Sequence, residues 1–92
     1  MLVTLAEMKN YLRVDHDEDD LLITNTILAA EKLCMDVARV DSEEDYLTFF
    51  ETGRIAVLYA VAYLYEHREE ADHHALVLSL RDLLFGDRRP AF

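Results

Sequence analysis

Residues 55–65, IAVLYAVAYLY, run for eleven positions without a charge, a glycine or a proline. The run shows no sustained alternation of apolar and polar residues, so it reads as a helix extending from Arg54 to about Arg68. A helix apolar on nearly every side belongs in the middle of a fold, where other elements cover it. It is also far short of the roughly 20 apolar residues needed to cross a bilayer. The rest of the chain must therefore supply the cover, and a soluble protein with no membrane partner is expected.

That cover reads as helical. The chain holds two glycines, one proline, no low-complexity tract and no segment of period-2 alternation. A first helix of about two turns should start at Thr4, where T-x-x-E with Glu7 forms a capping box and Leu5, Met8 and Leu12 share a face. A second should begin within or just after the acidic run at 15–20 and continue to about Val37. Ile23, Ile27, Ala30, Cys34 and Val37 recur at its period, with Leu22 and Leu33 beside them and Asn25, Lys32 and Asp36 opposite. In VDSEEDY, Asp41 or Ser42 suits a helix N-cap, and the acids that follow suit a helix N-terminus. Thr52 and Gly53 are expected to break the pattern before the central helix. A last helix should span Asp72 to Phe85, capped by Asp72, with Leu76, Leu80, Leu83 and Leu84 inward. Gly86 fits its C-terminal cap, and Pro90 keeps the residues after it extended. The expected fold is all-α: a small bundle of about four helices in one domain, 1–86, followed by an extended tail, 87–92.

A chain of 92 residues buries only roughly 60 to 65% of the surface its unfolded form exposes. Yet 52% of the residues are hydrophobic, while a net charge of −10 solvates the remainder. Surplus apolar surface on so small a body implies an oligomer or a docking face. Nineteen acidic residues against nine basic ones argue against nucleic-acid binding, because the mean field repels a phosphate backbone. The arginines are scattered, and only Arg88 and Arg89 are adjacent. Cys34 is the single cysteine, which excludes an internal disulfide and fits a reducing compartment. The opening MLVTLAEM lacks the basic and long apolar regions of a secretion signal.

Three constellations bear on chemistry. Asp15, Asp17 and Asp19 reproduce the D-x-D-x-D opening of a calcium loop, but Asp20 stands where the loop needs glycine and Thr26 where it needs a bidentate glutamate. The run is read instead as a charged first turn favoured by the helix dipole. Glu70 and His73 have the E-x-x-H spacing of di-iron bundles, which require a second such pair and two further glutamates; no other glutamate precedes a histidine by three. They are read as part of a solvated turn. Cys34 lies mid-helix on an apolar face, where its thiol pKa should rise, against a nucleophilic role. With no glycine-rich phosphate loop either, no enzyme, metal site or cofactor is expected. Tyr59, Tyr63 and Tyr65 read mainly as core, although Tyr59 and Tyr63 lie on a different face from Ile55, Leu58 and Tyr65 and could meet a neighbour.

Taken in order, TLAEMKNYLRVDHDEDDLLI, AVLYAVAYLYEHREE and LRDLLFGDRRPAF resemble the head-tail connector (adaptor) proteins of long-tailed bacteriophages and prophages. The resemblance rests on an opening T-L-x-x-x-K-x-Y-L-R-[IV]-D, an acidic stretch and an L-Y-x-x-R-E helix. It covers residues 1–20 and 55–92 well and 38–52 poorly.

The resemblance implies an all-α subunit that assembles beneath the portal as a homo-oligomeric ring of about a dozen copies, cyclic closure requiring two different faces per subunit. Such a ring joins the filled head to the tail, with the portal protein and a tail-completion or neck protein as partners. DNA would pass through without sequence-specific binding, and an acidic channel would repel it. The location implied is the virion neck, reached from the host cytoplasm during assembly. Carried over by position, Tyr11, Leu12, Arg13 and Asp15 form the exit of the first helix, and Leu64, Tyr65, Arg68 and Glu69 the end of the central one. Arg13, Asp15, Tyr59, Tyr63, Arg68 and Glu69 are the expected subunit-interface residues; Arg88, Arg89 and Phe92 are the expected portal contacts. The rival readings are a small acidic DNA mimic or regulatory binding protein, which needs carboxylates spaced like phosphates, and a metal-dependent helical enzyme built on Glu70 and His73.

Overall fold

The computed structural model describes residues 2–47, 50–67, 69–70 and 72–85. Among the described residues five helices follow one another: α1 Leu5–Leu12, α2 Asp20–Ala38, α3 Glu43–Tyr46, α4 Phe50–Glu66 and α5 His73–Phe85. The described residues contain no strand. The all-α expectation holds, with one helix more than four because the SEEDY segment closes into a separate single turn. Arg68, Gly86 and the tail 87–92 lie outside the described residues.

The caps follow from local chemistry. Thr4 Oγ1 accepts from Glu7 N at 3.1 Å, and Glu7 Oε1 accepts from Thr4 N at 3.1 Å, so the capping box forms. Ser42 caps α3 by accepting from Asp45 N at 3.1 Å, and Asp72 Oδ1 caps α5 by accepting from Ala75 N at 3.0 Å. At their C-termini α1 and α2 stop in the same way. Arg13 and Arg39 both adopt the left-handed conformation at φ 61°. Val14 N then donates to Lys9 O at 2.9 Å and Val40 N to Met35 O at 3.0 Å. This is the Schellman arrangement, in which the apolar residue after the left-handed one folds back onto the helix; Val14 and Val40 both pack on the core. The tripeptide Arg-Val-Asp, at 13–15 and again at 39–41, is thus a helix stop used twice.

α2 and α4 form the principal pair, α5 lies against both, and α1 packs across them. Their shared core holds Ile23, Ile27, Ala30 and Cys34 from α2, Ala56, Val57, Ala60 and Val61 from α4, and Leu76, Leu80 and Leu84 from α5. Met8 and Val3 close the end nearest α1.

Two expectations for the central helix are corrected. α4 starts at Phe50 and runs through Thr52 and Gly53 without a break. An internal glycine costs only about 1 kcal/mol relative to alanine, and here it has a use. Gly53 is buried, and its carbonyl accepts the Tyr46 hydroxyl at 2.7 Å, so the absent side chain lets α3 close against α4. Nor is α4 enclosed on every side, since Ile55 is 51% and Tyr59 38% exposed. The other described helices leave that side of α4 uncovered.

Candidate functional site

Residues 14–19 carry the chain from the end of α1 into α2, and their charges are organised by Lys9. Its Nζ lies 2.8 Å from Asp17 Oδ1 and 2.7 Å from Asp20 Oδ1. Hydrogen bonds to Asp17 and then Asp20 raise the Lys9 pKa, and the bond from Lys9 holds the Asp17 carboxyl below its ordinary value. The acidic run, expected as a charged first turn, is therefore a loop pinned to α1 by an ammonium group, and only Asp20 lies in the first turn of α2. Asp15, Asp17 and Glu18 remain exposed.

Asp19 stands at the N-cap of α2 without a side-chain capping bond. Its Oδ2 instead accepts the Tyr65 hydroxyl at 2.5 Å. This long-range contact docks the last turn of α4 against the first turn of α2, so the acidic loop and the turn after α4 meet at one end of the bundle. Tyr63 orders that turn: its hydroxyl accepts from Asp72 N at 3.1 Å, and its ring stacks on His67 with centroids 4.4 Å apart and planes 20° apart. Tyr65, Glu66, His67, Glu69 and Glu70 line an open hollow there. The result is an acidic end built from two segments remote in sequence.

The E-x-x-H pair is not a helical pair. Glu70 lies in the turn, its amide donating to His67 O at 3.0 Å, while His73 is the first residue of α5. E-x-x-H converges on a metal only when one helix carries both residues. Among the described residues no group of three or more His, Cys, Asp or Glu is placed to hold a metal ion, and no helix is long and apolar enough to cross a membrane.

The expected interface residues are distributed as follows. Arg13, Asp15 and Glu69 are exposed near the acidic end, Tyr63 is partly buried in its turn, and Tyr59 is exposed on the outward side of α4 together with Ile55. Ile55 stands four residues before Tyr59 and so shares its face, against the expectation of a different one. Arg68, Arg88, Arg89 and Phe92 lie outside the described residues. Further exposed apolar side chains stand elsewhere: Tyr11 on α1, Leu21 and Leu28 on α2, and Leu78 on α5. Leu21 is 74% exposed, two residues past the Asp19 cap of its helix.

Several structural side chains were not legible from the periodicity alone. Glu31, 6% exposed, accepts from Leu2 N and from Val3 N, the latter at 3.3 Å, and so ties the segment before α1 to the middle of α2. It stands four residues after Ile27 and three before Cys34, a charge on the buried stripe, and that position was the available signal. Tyr46 is buried between α3 and α4. Burial pushes the pKa of the Cys34 thiol up to about 11. The rise expected from its place on an apolar helix face is met. Arg54 donates to Glu7 Oε2, joining α4 to α1 through the same carboxylate that completes the capping box.

The family model for phage gp6-like head-tail connector proteins matches residues 2–83. The chain belongs to this family. The match continues through 38–52, where the sequence motifs fade, and it includes the acidic end, the exposed side of α4 and most of α5. No curated protein and no solved structure matches this connector-family chain.

Proposed function

We propose that this chain is a structural virion protein that forms a ring of about a dozen copies beneath the portal, closed by two unlike faces on each subunit. The ring joins the DNA-filled head to the tail and acts without catalysis. The observation that carries the reading is the family match over residues 2–83. Two physical features support it. Large apolar side chains are exposed on different helices, with Ile55 and Tyr59 on α4 and Leu21 and Leu28 on α2, as a head-to-tail ring contact requires. The acidic end gathers Asp15, Asp17, Glu18, Glu66, Glu69 and Glu70, all exposed, and such a surface lining a channel repels passing phosphate.

In this reading Tyr59 supplies an apolar part of the subunit contact, Arg13, Asp15, Arg68 and Glu69 its charged rim, and Tyr63 acts by holding the turn that carries Glu69. Arg88, Arg89 and Phe92 reach the portal, and a tail-completion or neck protein binds the opposite side. The protein works in the virion neck after assembly in the host cytoplasm. Deleting the gene and imaging particles by electron microscopy tests the reading. Packaged or partly emptied heads without tails are expected; normal tailed virions would refute it.

A further inference from the structure

A groove of about 600 Å³ runs between the C-terminal parts of α2 and α5, with Leu33 and Val37 on one wall and Val77 and Phe85 on the other. Asp36, Arg39 and Arg81 stand around it. We propose that this groove receives the outer ridge of α2 from a second copy of the chain, with Leu21 and Leu28 as the anchors. The proposal rests on the ring reading above and names the two unlike faces that such a ring needs.

Charge selects that occupant. Each copy carries a net charge of −10, so two copies repel unless their contact joins opposite signs. Among the described residues Lys9, Lys32 and Arg54 are already engaged by carboxylates. Arg39 and Arg81 are exposed, enter no ion pair among the described residues, and both stand at this groove. Asp36, the acid beside them, faces Lys32 at 3.9 Å. The groove is thus an apolar slot with surplus positive charge on an acidic protein. The ridge has the opposite make-up. Leu21 and Leu28 are 74% and 50% exposed, and the seven residues between them put both on one helix face, the spacing of a helix that docks into a groove. Glu18, exposed three residues before Leu21, and the exposed Asp15 place negative charge at that end of α2. Direction follows from helix geometry. At about 100° per residue, Leu33 and Val37 lie roughly 120–180° around the α2 axis from Leu21 and Leu28, and Val37 stands about 24 Å along it from Leu21. Ridge and groove therefore face opposite ways, and a two-fold dimer cannot fill both. A ridge seated in one neighbour leaves the groove open to the next, which is a head-to-tail contact of the kind that closes a ring.

The test is methyl NMR on the full chain at concentrations rising into the millimolar range. The Leu21, Leu28, Leu33, Val37 and Val77 methyls should shift together, while the buried Ile23 and Ile27 methyls stay in place. In a mixture of differently labelled chains, contacts from Leu21 and Leu28 to Val37 and Val77 should appear between chains and not within one. Leu21→Ser leaves the net charge unchanged and should weaken self-association about tenfold or more. Arg81→Glu should weaken it comparably, and adding Glu18→Arg to that chain should restore it to within about threefold of wild type. Groove methyls that shift without those of Leu21 and Leu28 would overturn the proposal, assigning the groove to another partner; so would a two-fold dimer that moves neither set, or no shift at any concentration. The two readings fail separately: normal tailed virions would end the ring in the neck without touching these contacts, and absent contacts would leave the family match as it stands.

Discussion

Replacing Glu31 tests how much of this small fold hangs on one buried carboxylate. Glu31 accepts two backbone amides, Leu2 N and Val3 N, and the second of these sits beside a fully buried side chain. Hydrogen bonds to a charged acceptor contribute about 1.5–3 kcal/mol each, and a buried donor left without a partner costs about 1–3 kcal/mol. Leu2 is only partly buried and regains water in a variant, so Glu31→Ala should cost roughly 2–4 kcal/mol, mostly at Val3. Glu31→Gln keeps a neutral acceptor oxygen and should cost about half as much. Set against a total stability of about 5–15 kcal/mol for a domain, the alanine change is severe. Urea unfolding at fixed protein concentration measures the midpoints, and hydrogen exchange at Val3 localises the effect. The expected order is wild type, then Gln, then Ala, with Val3 exchange accelerated in step. An alanine variant within about 0.5 kcal/mol of wild type, with Val3 exchange unchanged, would refute the assignment of Glu31 as the clamp.

The same structure sets three further expectations. Tyr46→Phe removes the buried bond to Gly53 O and should cost about 1 kcal/mol, lowering the thermal midpoint by about 4–8 °C in a domain of this size; an unchanged midpoint would show that the hydroxyl contributes nothing to the α3–α4 contact. Arg13→Gly and Arg39→Gly relieve a left-handed backbone at φ 61° and should stabilise by about 0.5–1 kcal/mol, read from denaturant midpoints; destabilisation would mean that the guanidinium groups make contacts worth more than the strain. Lys9→Met should flatten the acid limb of the stability profile. Asp17 is held below its ordinary 3.8, so its contribution is present above that pH and is lost as the pH falls through the lower folded value. Lys9 is held above its ordinary 10.5, so its share is present below that pH and lost as the pH rises further. A variant whose acid limb is as steep as that of wild type would exclude the pairing.

Legibility in the sequence followed the range of the interaction. Thr4 with Glu7, Ser42 and Asp72 were readable as caps because each acts on an amide three residues away, within one helical turn. Met8, Ile23, Ile27, Ala30, Cys34, Leu76, Leu80 and Leu84 were readable as core because a repeat of 3.6 residues places them on one stripe. Gly53 misled, since glycine weakens an isolated helix and only contact with Tyr46 gives the missing side chain a purpose. The exit of α1 at Arg13 was placed through the resemblance, but the left-handed stop there and at Arg39 was not legible, because glycine is the usual left-handed residue and an arginine there is recognised by its φ. The E-x-x-H spacing of Glu70 and His73 suggested a metal pair only for as long as both could be imagined on one helix.

The sequence by itself determined an all-α chain, the placement of most helices, a buried thiol, a strongly acidic surface and the order of motifs that marks the connector family. Those properties depend on composition and on neighbours within a turn or two. Only the tertiary structure decided where the charges and tyrosines went. The Tyr65 hydroxyl reaches Asp19 across 46 residues and gathers two acidic segments at one end, Glu31 turns inward to hold Val3, and Tyr59 is left outside although its helix is the most apolar of the chain. Each depends on which helix faces are brought together in space, and helical periodicity identifies a face without naming the surface it will meet.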